Sequence, residues 1–185
     1  MNPTWLYVGA LYGLAVWLAR RAGVELRPRI AAFFYAIVLL FLFRPMTQAY
    51  VNLPVDIVDT LPPWSHQTIR PRMANSEMSD ITLQIVPWAH QAREQWKSLR
   101  VPLWNEREGA GYPLLANGQS APFSLLRLIT LPLSLGNAFT AEAAFKLLIA
   151  LTFTYLFCRR RKWGELPSAI GALSFAFCTF LHVWL

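Results

Sequence analysis

The chain has 185 residues, 55% hydrophobic and 15% charged, with eight Trp, twelve Phe and a formal charge of +7. That composition leans toward the membrane class, and the basic residues sit at the edges of apolar runs, which argues against a nucleic-acid partner. Only two cysteines occur, Cys158 and Cys178, both in or beside apolar segments, so a disulfide framework or thiolate metal site is not expected.

The first apolar run spans Trp5 to Ala19 and is closed by Arg20 and Arg21. Its positive charges follow it, whereas a cleavable signal peptide carries them in front. The second run, Ile30 to Phe43, is flanked by Arg27, Arg29 and Arg44. Its core of about 14 residues falls short of the ~20 that cross hydrocarbon, and snorkelling arginines at both ends can extend it. Residues 1–43 thus read as two transmembrane helices joined by an Arg-rich cytoplasmic loop.

Residues 44–137 read as an extracytoplasmic lobe holding seven of the ten acidic residues. Its first part, residues 50–73, is Pro-punctuated and reads as irregular chain lying on the membrane. Residues 76–100 read as a helix, with Ser76 or Ser79 as cap, Glu77 and Asp80 at the positive helix start, and Pro87 kinking or splitting it. After Pro87 the pattern is amphipathic, with Trp88, Ala92 and Trp96 on one face and Arg93, Lys97 and Arg100 around the other. Residues 102–122 concentrate turn chemistry. Gly109, Gly111 and Gly118 open backbone conformations closed to other residues, and Pro102, Pro113 and Pro122 stiffen the path. The run from Phe123 to Gly136 is apolar but short, with Arg127 and Pro132 inside it, and reads as an interfacial or re-entrant piece.

Residues 138–185 read as two further spans, Ala138 to Phe157 and Pro167 to Leu185. The first carries Glu142 and Lys146 as an i, i+4 pair. Between the spans lies the basic loop of Arg159, Arg160, Arg161 and Lys162. The two Arg-rich loops place themselves in the cytoplasm, and the N-terminus and the 44–137 lobe outside. The chain stops in an apolar run at Trp184-Leu185, which predicts continuation in a longer protein. The expected fold is therefore an all-α polytopic membrane protein with about four transmembrane helices and an external lobe between the second and third.

Within the lobe, Asp80 and Gln84 share a helix face, and a partly desolvated carboxylate beside an amide can act as general base on a hydroxyl. A first-turn carboxylate favoured by the helix dipole looks the same in sequence. Asp56 and Asp59 have a spacing at which two carboxylates can share a divalent metal, and Pro54 and Pro62 nearby fit a plain turn equally. No other cofactor is called for. His66 and His90 have no partner at zinc-ligand spacing, and His182 lies in the last apolar run. Arg93, Lys97, Arg100 and Arg107 form an external basic set suited to a lipid-linked phosphate, to anionic headgroups, or to a solvated face. Trp104 and Tyr112 offer flat apolar faces, and Asn105, Asn117 and Gln119 offer amides for a sugar's hydroxyls or for their own backbone.

Three blocks in order carry a resemblance: Asp80-x-x-x-Gln84-x-x-Pro87-Trp88, then Pro102-Leu103-Trp104-Asn105, then Gly109-x-Gly111-x-Pro113 continuing to Asn117-x-Gln119-Ser120-Ala121-Pro122. Together they resemble YfhO-type bacterial membrane proteins, of the GT-C-like class of polytopic glycosyltransferases. Members often carry Pro and an aromatic after the Trp-Asn pair, where this chain has Glu106-Arg107-Glu108. The resemblance implies transfer of a sugar from a polyprenyl-phosphate carrier to an envelope glycan or other acceptor, on the outer face of the bacterial inner membrane. It makes Asp80 the catalytic base. Gln84, Trp88, Arg100, Trp104, Asn105, Arg107, Asn117 and Gln119 become substrate-binding candidates, and Arg100 or Arg107 stabilises the leaving lipid phosphate. The competing reading is a non-enzymatic scaffold or subunit that binds lipid or envelope glycan through the same lobe. A transporter subunit fits less well, because the spans carry few ionisable residues.

Overall fold

A computed structural model describes residues 2–63, 65 and 76–183, without the side chains of Ser76, His182 and Val183. His66, the capping hydroxyl expected of Ser76 and the imidazole of His182 lie outside the described residues, as does most of the second half of the irregular 50–73 stretch. The chain is mostly helical and divides into two compact units, residues 1–52 with 139–185, and residues 53–138.

The first unit is built from helices. Helix α1 (Thr4–Arg21) begins where Asn2 Oδ1 accepts from the Thr4 amide at 3.1 Å. It ends in a Schellman motif, with Gly23 at φ +84° and the Val24 N–H donating to Ala19 O at 2.9 Å. Arg20 and Arg21 lie in its last turn, where cations suit the helix dipole. Helix α2 (Pro28–Phe41) opens with Pro at its first position, where no intrahelical N–H is needed. Its 14 residues match the short apolar core read from sequence. A five-residue helix α3 (Phe43–Thr47) follows. Helix α6 (Leu135–Arg160) has 26 residues and is the one described helix long and apolar enough to cross a membrane. Helix α7 (Glu165–Ala176) stops after 12 residues, and α8 (Thr179–Val183) follows. The single segment expected over 167–185 is therefore interrupted at Phe177-Cys178, and nothing in the local sequence explains the break.

Ala141, Ala144, Leu148, Leu151 and Tyr155 of α6 are buried with Phe34 and Val38 of α2. The rings of Phe34 and Tyr155 meet edge to face at 5.7 Å, and the hydroxyls of Tyr12 and Thr152 lie 2.9 Å apart. Ser168, Ala172 and Ala176 recur every fourth residue on α7 and are all buried, a small-residue stripe that lets neighbours approach closely. At the basic end, Glu165 draws together Arg27 at 2.8 Å and Arg29 at 2.6 Å. The two Arg-rich loops thus share one end of this unit. Glu142 is buried and Lys146 exposed, so the i, i+4 pair read from sequence does not sit in one environment.

The second unit is held by its own polar and aromatic contacts. A 3-10 helix, Val55–Thr60, opens it, and Ile57 is buried. Thr82 Oγ1 donates to Pro54 O at 2.9 Å, fastening the next helical segment to this one. That segment does not break at Pro87. Ile81–Ile85 form a π-helical turn, and the Val86 N–H donates to Ile81 O, before α4 (Val86–Lys97) continues. Proline lacks an N–H and its ring collides with the carbonyl four residues back, so a wider turn ahead of it relieves both problems. Two-residue strands β1 (Trp104–Asn105) and β2 (Tyr112–Pro113) pair antiparallel, with Trp104 opposite Pro113 and Asn105 opposite Tyr112. Helix α5 (Leu125–Ile129) lies in the segment read as interfacial.

Arg93 departs from the amphipathic pattern. It was expected among the solvent-facing cations, yet it is 5% exposed. Its guanidinium donates to the carbonyls of Thr130 at 3.2 Å, Leu131 at 3.1 Å and Leu133 at 2.5 Å. Carbonyls just past the end of α5 lack helical partners, and a planar five-donor fork can take several at once.

Candidate functional site

The 102–122 stretch folds into an ordered hairpin loop packed on α4. Asn105 Oδ1 accepts from the Arg107 amide at 3.1 Å, an Asx turn that starts the reversal. Gly109 at φ +56° and Gly111 at φ +102° complete it, and the Gly111 N–H donates to Glu108 O at 2.9 Å. A Cβ at Gly111 would stand 2.3 Å from Trp104 Nε1, so the loop closes only because the indole lies on bare backbone. Leu114, fully buried, plugs into Trp88 and Ala92 of α4, with Ile85 packed alongside. Gln95 Nε2 donates to Trp104 O at 2.7 Å, and Trp96 Nε1 donates to Pro122 O at 2.9 Å. Two side chains of one helix therefore clamp the two ends of the loop.

Between α4 and the loop lies a cavity of about 390 Å³, lined by Leu83, Pro87, Trp88, His90, Gln91, Asn105, Arg107 and Glu108. Its polar centre is Glu108. One carboxylate oxygen, Oε2, accepts from Trp88 Nε1–H at 2.8 Å and from Asn105 Nδ2–H at 3.1 Å. The Trp88 indole in turn lies nearly parallel to the Tyr112 ring, with 10° between planes and 6.4 Å between centroids. Asn105 is buried and doubly used, its oxygen in the turn and its amide on Glu108. The site thus offers a fixed carboxylate, an exposed guanidinium from Arg107, an imidazole from His90 and an apolar wall from Trp88 and Pro87. Fixed polar groups beside a flat apolar face match a ligand with hydroxyls on one side and C–H on the other.

Three of the nine site residues expected from sequence meet here: Trp88, Asn105 and Arg107. Asp80 does not line the cavity. It is half-buried at the start of the π-helical turn, and among the described residues its carboxylate has no partner. The extra residue of that turn alters the angular relation between Asp80 and residues beyond it. Gln84 and Arg100 are exposed and lie outside the lining. Trp104 covers Gly111 at the hairpin. Asn117 Oδ1 accepts from the Gln119 amide at 3.0 Å, a local turn, while Ser120 Oγ lies 2.6 Å from Leu114 O and 2.8 Å from Asn117 O. Asn117 Nδ2 is buried with no hydrogen-bond partner.

Sequence reasoning missed Glu108, His90 and Gln91 as members of one site. No spacing rule marks Glu108, because its donors lie 20 residues upstream on α4 and three residues back in the turn. Asp56 and Asp59 fall one turn apart on the 3-10 helix, where residues three apart eclipse. Among the described residues, no group of three or more His, Cys, Asp and Glu is placed to hold a metal ion.

No family model matches the chain, and no curated protein or solved structure matches it either.

Proposed function

We propose that the protein is a membrane glycosyltransferase of the bacterial cell envelope. In this reading it takes a sugar from a polyprenyl-phosphate carrier and passes it to an acceptor on the outer face. The helical unit is the membrane part, crossing about four times, and residues 53–138 form the extracytoplasmic lobe. The observation that carries the reading is the cavity that brings Arg107, Asn105 and Glu108 together against Trp88. Arg107 is the group for the carrier's phosphate, Asn105 and Glu108 take sugar hydroxyls, and Trp88 supports the sugar's apolar face. Asp80, with an uncommitted carboxylate, keeps the role of general base toward the acceptor hydroxyl, assisted by Gln84. The remaining candidates, Arg100, Trp104, Asn117 and Gln119, shape the approach to the site. The large apolar side chains exposed on the helical unit, among them Leu14, Trp17, Leu40, Phe153, Phe157 and Ile170, support a lipid surround.

The separation of Asp80 from the cavity lining favours a second reading, a binding protein that holds envelope glycan or lipid without chemistry. One experiment divides the two. Purified full-length protein is loaded with undecaprenyl-phosphate glucose and followed by native mass spectrometry, then by transfer to an acceptor. The transferase reading expects retention of the donor, its loss in Arg107→Gln, and a folded Asp80→Asn that binds donor but transfers at least 100-fold more slowly, in the range typical of a lost acid–base group. Donor retained by the wild-type chain with no transfer moves the conclusion to the binding protein. Retention of ordinary phospholipid alone removes both the donor and the base from the account.

A further inference from the structure

The helical unit carries a second concave region, at the end where Glu165 gathers the two Arg-rich loops. Two adjoining cavities of about 480 and 600 Å³ share Gly23, Val24, Glu25 and Arg159 in their linings. Arg20 and Arg27 complete the charged side of the first, and Arg160 joins Arg159 in the second. The two linings together hold four arginines and one glutamate, Glu25. Two of the four are committed, Arg27 to Glu165 at 2.8 Å and Arg159 Nη1 to Trp163 O at 2.5 Å. Arg20 and Arg160 have no partner among the described residues.

The second cavity runs from Arg159 and Arg160 onto an apolar wall, while Arg20 lines the adjoining first cavity. Phe153 and Phe157 lie two turns and one turn before Arg160 on α6, and they are 67% and 64% exposed. Gly23, at φ +84°, lines both cavities, and a Cβ there would meet nothing within 4 Å. A soluble phosphate would use the arginines and leave the phenylalanines without purpose. A lipid tail alone would use the phenylalanines and leave two cations without an anion.

We propose that this groove binds an anionic phospholipid, with its phosphate between Arg20 and Arg160 and an acyl chain along Phe153 and Phe157 of α6. The inference rests on the membrane reading above, and on neither the lobe nor the transfer chemistry. Basic pockets between membrane helices are the ordinary place for such headgroups, and the forked guanidinium suits a phosphate diester. The bound lipid joins the α1–α2 loop to the end of α6 at the point where those two elements carry most like charge.

The test uses the full chain in nanodiscs made from equal parts of dioleoylphosphatidylglycerol and dioleoylphosphatidylcholine, released gently for native mass spectrometry. Phosphatidylglycerol is expected to stay bound in excess. The double variant Arg20→Gln/Arg160→Gln should weaken that binding about 30-fold, from the usual contribution of two basic residues at an anionic surface. Arg21→Gln/Arg161→Gln removes the same charge outside the groove and should leave the excess unchanged. Because all four arginines except the stacked Arg21 project freely, the two doubles are compared at equal thermal stability, and the single Arg20→Gln serves if a double is unstable. Equal loss in both pairs overturns the site in favour of diffuse charge. Displacement by free glycerol 3-phosphate as effective as by whole lipid overturns the lipid as occupant. Release of the chain from membranes by alkaline carbonate overturns the membrane reading itself, a result read before any lipid is measured.

Discussion

Replacing Gly111 by alanine probes the loop at its tightest point. The new Cβ would lie 2.3 Å from Trp104 Nε1 and 2.7 Å from two further ring carbons, well inside any real contact. Trp104 is 47% exposed, so the indole can swing outward, but it then loses its seat on the hairpin. The backbone adds its own cost, because φ +102° is a region where an alanine is strained by about 1–3 kcal/mol. Displacing the ring adds roughly 1–3 kcal/mol, so the total comes to about 2–6 kcal/mol. Gly109 and Gly118 are internal controls. Gly109 is at φ +56° with open space around it, so its alanine variant should cost about 1 kcal/mol from backbone alone. Gly118 has neither clash nor left-handed φ, and its alanine variant should be neutral or slightly stabilising, by about 0.5 kcal/mol. The assay is amide hydrogen exchange on the full chain in detergent, following the Leu114 N–H that donates to Leu103 O at 2.9 Å. A loss of about 2–6 kcal/mol speeds exchange from that opening about 30- to 25,000-fold. Equal effects at the three glycines would refute the packing of Trp104 on Gly111 and reduce the loop to a flexible turn.

Two helix ends predict gains. Leu99 at φ +56° and Lys162 at φ +64° occupy the left-handed position of Schellman motifs that close α4 and α6, the position Gly23 holds after α1. Leu99→Gly and Lys162→Gly should each stabilise by about 1 kcal/mol, seen as a raised melting temperature; a fall at either site would mean that the side chain makes a contact that outweighs the strain. Arg93→Met should destabilise the lobe by about 3 kcal/mol, because three carbonyls lose a charged donor in a buried place, and Arg93→Lys should recover only part of it. Denaturation with unchanged midpoint in Arg93→Met would show those carbonyls to be solvated. Glu165→Gln should cost less than about 1 kcal/mol, and the difference should vanish in molar salt, since the paired arginine side chains are 60% and 66% exposed. A larger, salt-insensitive loss would place that cluster in a far drier setting.

Much of the architecture was legible in the sequence, because the rules that govern it act within about one helical turn. Apolar runs bounded by arginines marked α1, α2 and α6. The density of Gly, Pro and Asn over 102–122 announced an ordered turn-rich loop, and Asn105, Gly109 and Gly111 perform there the turn chemistry their types foretell. Trp88, Asn105 and Arg107, candidates by the resemblance of their sequence blocks, line one cavity. What the sequence could not decide is which polar groups meet. The amphipathic pattern put Arg93 toward solvent, yet its partners lie 37 to 40 residues downstream, and only the packing of α5 beside α4 brings them within reach. Pro87 announced a disturbed helix, and a π-helical turn stands ahead of it, with Thr82 tied to Pro54. Glu108 carried no local mark, standing in the triplet where the chain departs from the pattern it resembles. It became the centre of the cavity because tertiary packing set an indole N–H from α4 and an amide from the turn on one of its oxygens. A buried donor must find an acceptor, and which acceptor it finds is a property of the whole packed unit.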